Sequence, residues 1–112
     1  MTKQGNRAYS RYTLKALTLM AKHIKTTRIT RNMTVQALAD RAGISMGLLR
    51  RIENAHPSCS IGIVFEVASI LGIALFNADY DTLVLQNKII EEKLALLPSE
   101  VRQKKIEIDD NF

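Results

Sequence analysis

Thr34-Val35-Gln36-Ala37-Leu38-Ala39-Asp40-Arg41-Ala42-Gly43-Ile44-Ser45-Met46-Gly47-Leu48-Leu49-Arg50-Arg51-Ile52-Glu53 is the stretch whose reading decides the fold. Thr34 and Ser45 are hydroxyl residues of the kind that cap helix N-termini, because the side-chain oxygen accepts a first-turn N–H. They predict one helix over Val35–Ala42 and another over Met46–Glu53. The first presents Val35, Leu38, Ala39 and Ala42 as its apolar set; the second presents Leu48, Leu49 and Ile52. Gly43 stands where the chain must turn through positive φ. Ala39, Gly43, Leu49 and Ile52 follow at intervals of 4, 6 and 3. Two short helices that cross steeply after a three-residue turn need a small residue at the crossing, and Ala39 supplies it. Ile44, Leu49 and Ile52 close the apolar wedge.

That pattern is a helix-turn-helix, and the rest of the chain builds a small helical domain around it. Upstream, Ser10 or Thr13 caps a helix running to about Arg31. Leu14, Leu17, Ala21, Ile24 and Arg28 share one face of it, and Lys15, Lys22, Lys25 and Arg31 lie off that face. Downstream, residues 54–57 form a loop, and Ser60 caps a fourth helix, Ile61–Leu71, ended by Gly72. A fifth helix runs from about Asp81 to Leu97, where Pro98 breaks it. Leu38, Leu48, Leu49, Ile52, Phe65 and Leu71 are the expected core. Few Val/Ile/Thr runs are bounded by turns, so the fold class is all-α. The expected organisation is a flexible basic arm at 1–12, a five-helix domain at 13–97 and an acidic tail at 98–112.

Charge divides the chain. Its 112 residues carry a formal +5, but residues 1–60 hold eleven Lys/Arg against only Asp40 and Glu53, a balance of +9. Residues 61–112 hold five basic groups against nine acids, a balance of −4. A basic half favours a polyanion such as nucleic acid. The single cysteine, Cys59, excludes an internal disulfide and fits a reducing cytoplasm. No run of about 18 apolar residues marks a membrane span, and no apolar signal-peptide core is visible. His56 and Cys59 have ligand-like spacing, but a zinc site needs at least three protein ligands. Asp109-Asp110 sits in a tail with no pocket to shape acid–base chemistry. No nucleophile-and-base pair or glycine-rich phosphate loop occurs. Neither an enzyme, a metal nor a cofactor is expected.

From about Met20 to Leu75 the chain resembles the Xre, phage-repressor-like, helix-turn-helix family. The resemblance is carried by Met33-Thr34, Leu38-Ala39, Arg41-Ala42-Gly43-Ile44-Ser45, Leu49, Arg51-Ile52-Glu53 and Leu71-Gly72-Ile73. It implies a lambda-repressor-like fold. Arg51-Ile52-Glu53-Asn54-Ala55-His56-Pro57 followed by Cys59-Ser60-Ile61-Gly62 also resembles HipB-like antitoxins, the regulators encoded beside HipA-type kinase toxins. That implies an antitoxin that represses its own operon. The family usually has Gln directly after the second helix's cap and often Glu at its third position; here those places hold Val35 and Ala37.

In this motif the third helix enters the major groove N-terminus first. Ser45, Met46, Gly47, Arg50 and Arg51 are therefore expected toward DNA. Arg51 is the expected base reader, because a guanidinium donates two bonds to guanine O6 and N7. Met46 offers apolar contact to a thymine methyl, and Arg50 serves a base or a phosphate. The resemblance places Thr34, Asn54, Ser58 and Ser60 at the phosphate backbone, with Lys25 and Arg31 as further candidates. It also implies that Arg28 pairs with Glu53 to pin the third helix to the first.

One such motif reads few base pairs, so a homodimer on a palindromic operator of double-stranded DNA is expected. Leu83, Ile90, Leu94 and Leu97 of the fifth helix are the expected dimer interface, unless that helix packs on its own domain instead. Ile106 and Ile108 add an intermolecular strand or partner-binding segment, or belong to a disordered tail. Glu91, Glu92, Glu107, Asp109 and Asp110 are suited to a basic surface on a HipA-like kinase toxin. Three readings follow: a repressor that is also an antitoxin, a plain repressor without a toxin partner, and a helix-turn-helix protein-interaction module. A membrane role lacks an aromatic anchor set.

Overall fold

The computed structural model describes residues 8–101. Lys3 and Arg7 of the expected arm, and Ile106, Glu107, Ile108, Asp109 and Asp110 of the expected tail, lie outside the described residues. Among those described there are five α-helices and no strand: α1 (Arg11–Thr30), α2 (Val35–Ala42), α3 (Met46–Glu53), α4 (Ile61–Ile70) and α5 (Tyr80–Ala95). A 3-10 turn, Leu75–Asn77, follows α4. The expected all-α, five-helix architecture is what the chain adopts.

Side-chain caps start four of the five helices. Ser10 Oγ accepts from the Thr13 N–H at 3.1 Å, so Ser10 rather than Thr13 caps α1, and Arg11 and Tyr12 are helical. Thr34 Oγ1 accepts from Ala37 at 3.0 Å and Ser45 Oγ from Leu48 at 3.0 Å. Asp79 Oδ1 accepts from Thr82 at 2.8 Å, which sets the start of α5 at Tyr80 rather than Asp81. Ser60 precedes α4 as expected, but its side chain makes no capping bond.

The C-termini of α1 to α4 share one closure. The N–H groups of Met33, Ile44, His56 and Ile73 reach back to the carbonyls of Arg28, Ala39, Arg51 and Ala68 at 2.9–3.0 Å. The residue before each donor is left-handed: Asn32 (φ 59), Gly43 (φ 70), Ala55 (φ 62) and Gly72 (φ 78). This closure satisfies carbonyls the helix leaves open, and an apolar residue after the left-handed one folds back onto the helix. Met33, Ile44 and Ile73 do so, packing against the core. The end of α3 departs on both counts, with alanine in the strained conformation and His56 where the others are apolar.

Residues up to Asn77 form one compact unit and those from Ala78 another. In the first, α2 packs against both α3 and α4, and α1 packs against α3. Ile24, Leu38, Ala39, Leu49, Ile52, Val67, Ala68 and Leu71 form its buried core. Ala39 and Ala68 are small enough for the backbones to approach, and each fully buried Leu or Ile contributes about 1.5–3 kcal/mol of transfer free energy. Leu48 and Phe65, expected in the core, are half-buried, and Leu14, expected on the buried face of α1, is exposed. The buried face of α1 is confined to Ala21, Ile24 and Arg28. Phe76 in the 3-10 turn lies edge-on to Phe65, with ring centroids 6.0 Å apart. In the second unit, α5 has no buried residue.

Candidate nucleic-acid interface

The helix-turn-helix positions α3 from three sides. Leu49 and Ile52 are buried on its inner face, with Ala39 of α2 beneath them. Arg28 grips its C-terminal end: Nε donates to Glu53 Oε2 at 2.7 Å, and Nη2 donates to Glu53 Oε1 at 3.1 Å. The third nitrogen of the fork, Nη1, donates to the Met33 carbonyl at 2.8 Å. One guanidinium thus joins α1, the turn before α2, and the last residue of α3. The pair's side chains are only 10% and 6% exposed, so it is a shielded, two-bond contact.

With its inner side fixed, α3 turns its remaining residues outward. Ser45, Gly47, Arg50 and Arg51 are exposed, while Met46 is half-buried and packs partly against the core. Thr34, Asn54, Ser58 and Ser60 are also exposed. The Thr34 and Ser45 oxygens accept backbone N–H groups as caps, which leaves each hydroxyl proton able to donate to a phosphate oxygen. Glycine at 47 opens the face of α3: a Cβ there would meet nothing closer than Ser45 Oγ at 3.9 Å.

Two features of this surface escaped the sequence reading. A groove of about 260 Å³ joins Lys25 and Arg28 of α1, Val35 of α2, and Arg50, Glu53 and Asn54 at the end of α3. Lys25 and Arg50, neither in an ion pair among the described residues, line it beside Val35 in the first turn of α2, where a helix N-terminus favours an anion. Their separation of 25 residues in sequence hides this, because only the packing of α1 against α3 brings them to one groove. The second feature is His56. Its Nδ1 accepts from the Ser58 N–H at 3.2 Å and lies 2.8 Å from Ser58 Oγ, so it holds the loop beyond α3. Arg51 acts on the same rim: burial pushes the Cys59 thiol above its ordinary range, and the nearby Arg51 charge pulls it back part of the way.

Elsewhere, α5 ends at Ala95 with Leu96 as its cap, short of the expected Leu97, and the four residues expected at the dimer interface are accessible. Leu83 is half-buried, and Ile90, Leu94 and Leu97 are 54%, 60% and 52% exposed. No three His, Cys, Asp or Glu side chains come together among the described residues. Nor is any helix among them long and apolar enough to cross a membrane.

Comparison with known proteins gives one match. Residues 24–76 fit the family model described as Helix-turn-helix, a span that opens inside α1 and closes in the 3-10 turn at the edge of the first unit. No curated protein and no solved structure matches the chain. The capped α2, the left-handed Gly43 and the outward face of α3 all lie within the matched residues, so this part of the chain is similar to the helix-turn-helix family, a likeness that points to a DNA-binding transcription regulator.

Proposed function

We propose that the chain is a homodimeric, sequence-specific repressor that reads a palindromic operator with α3. The observation that carries this reading is the contrast between the two sides of α3. Its inner side is locked by Leu49, Ile52 and the Arg28–Glu53 pair, and its outer side offers Arg50 and Arg51 with no bulk at Gly47. Arg51 reads a guanine edge, Ser45, Met46 and Gly47 lie along the major groove, and Arg50 serves a base or phosphate. Thr34, Asn54, Ser58 and Ser60 hold the backbone and set the register without specifying sequence. Val35, in place of the family's usual Gln, leaves the first turn of α2 to bind phosphate through its backbone N–H groups and Thr34.

The exposed apolar surface of α5 supports the dimer. Leu83, Ile90 and Leu94 share one face of α5, Leu97 follows just beyond its end, and exposed apolar surfaces of that kind mark interfaces. A second set, Leu85 and Ile89 on another face of the same helix and Leu96 at its C-cap, is also exposed. A helix apolar on two sides is suited to two partners. That favours the antitoxin reading, in which one face joins the second copy and the other, beside Glu92, meets a HipA-like kinase.

Selection from a pool of random duplexes tests the repressor reading. The recovered sequences are expected to contain a palindrome with half-sites about one helical turn apart. Recovery of no shared sequence would contradict it. For the antitoxin reading, the expected result is that a HipA-type kinase encoded next to this chain co-purifies with it and loses the association on Leu85→Asp.

A further inference from the structure

α1 carries a charged stripe that no stability argument explains. Arg11, Lys15, Thr18, Lys22 and Lys25 fall at i, i+4, i+7, i+11 and i+14, a single line along the exposed side of the helix. The stripe is about 21 Å long at 1.5 Å per residue. No acidic residue occurs anywhere in α1. Arg11 stands in the first turn, where a cation opposes the helix dipole. Arg11 and Lys15, and Lys22 and Lys25, are like-charged neighbours that repel. A face meant only for solvation would interleave Glu with these cations. The arrangement is unfavourable within α1 itself, and an external anion along the stripe would relieve it.

The stripe also leads somewhere. Its last member, Lys25, lines the groove shared with Arg50 of α3 and with Asn54 at the cap of that helix. Its first three cations precede residue 24, where the family match begins, on a part of α1 whose contribution to the core is limited to buried Ala21 and half-buried Met20.

We propose that Arg11, Lys15 and Lys22 form a second, sequence-independent contact to duplex DNA. They continue the backbone-binding surface from the groove at Lys25 and Arg50 along about six base-pair steps of flanking DNA. This rests on the DNA-binding reading of α3. A polyanion with regularly spaced charge fits a line of cations. Continuity with Arg50 and Asn54 assigns that polyanion to the DNA beside the operator rather than to a lipid surface or an acidic protein.

The test is binding of the full chain to a 40-base-pair duplex of random sequence, followed by fluorescence anisotropy from 50 to 200 mM KCl. Wild type is compared with the triple variant R11Q/K15Q/K22Q. Each lost phosphate contact lowers the salt slope by about 0.9, so the triple variant is expected to lose about 2.7 from the slope. Wild type then loses about 40-fold more affinity than the variant across that range. An unchanged slope in a variant that melts like wild type overturns the stripe while leaving the α3 reading intact. Failure of wild type to bind any duplex overturns both. If the triple variant does not fold, the single variants K15Q and K22Q are expected to lower the slope by about 0.9 each, and no change in either overturns the proposal.

Discussion

Arg28 and Glu53 are joined by two hydrogen bonds of 2.7 and 3.1 Å at a site almost closed to solvent, and the third arm of Arg28 holds the Met33 carbonyl. The pair fixes the end of α3 to α1 and to the turn that launches α2. Removing one partner of a buried pair leaves the other charge unmatched, at a cost of about 3–5 kcal/mol. Glu53→Gln keeps the shape but removes the charge. It is expected to lower stability by about 3 kcal/mol in thermal or urea unfolding, at the lower end of that range, and to weaken DNA binding. Unchanged melting and unchanged affinity would refute the clamp.

The helix ends make a second prediction in two opposite directions. Gly43 has φ 70 and a Cβ there would meet nothing within 4 Å, so Gly43→Ala isolates the backbone cost of a left-handed alanine. That cost is about 1–2 kcal/mol. Ala55 already bears it at φ 62. Ala55→Gly is therefore expected to stabilise the fold, by about 0.5 kcal/mol after the added entropy of an unfolded glycine. Chemical denaturation of both variants checks the signs; a stabilising Gly43→Ala or a destabilising Ala55→Gly would show that the closures are not equivalent.

How much of this was legible beforehand follows from what each residue type signals. α2, its turn and α3 were readable to the residue, because Thr34, Gly43 and Ser45 each have one common structural use. The left-handed Ala55 was not, because alanine carries no turn signal and only the closing bond from His56 to Arg51 reveals it. The start of α5 was missed by a residue because Asp79 reads as loop until its carboxylate is seen to cap Thr82. Phe76 and Asn77, left-handed at φ 55 and 57, were hidden in an apolar-looking connection. At the site, local chemistry pointed to the outward residues of α3, while the groove at Lys25 and Arg50 depends on a helix crossing that no local pattern encodes.

Asp79 provides a pH test of α5. Its carboxyl lies below the ordinary value of 3.8, first because of the Thr82 side chain and then because of the Thr82 backbone N–H. A group depressed in the folded state contributes stability above its unfolded pKa and loses it as the pH falls through the folded one. Helicity by circular dichroism is expected to fall as acidification passes below 3.8. In Asp79→Asn, which caps without ionising, that part of the acid-induced loss is expected to vanish; an identical acid profile in the two proteins would remove the cap from the account.

Cys59 reports on the position of Arg51. Burial raises its thiol pKa and Arg51 lowers it, so the thiolate is scarce at neutral pH and scarcer without the guanidinium. Arg51→Ala is expected to slow alkylation by iodoacetamide. Faster alkylation would place the Arg51 charge away from the rim that Cys59 shares.

In the proposed repressor, Arg51 on α3 reads a base. The most direct measurement of that contact is the affinity of wild type and Arg51→Ala for the selected palindrome and for a scrambled duplex, at one salt concentration. Loss of a bidentate guanine contact removes about 1–3 kcal/mol of discrimination, a drop of about 5- to 150-fold in the ratio of the two affinities. That drop is expected in Arg51→Ala with the fold intact. Equal binding of wild type and Arg51→Ala to both duplexes would contradict it.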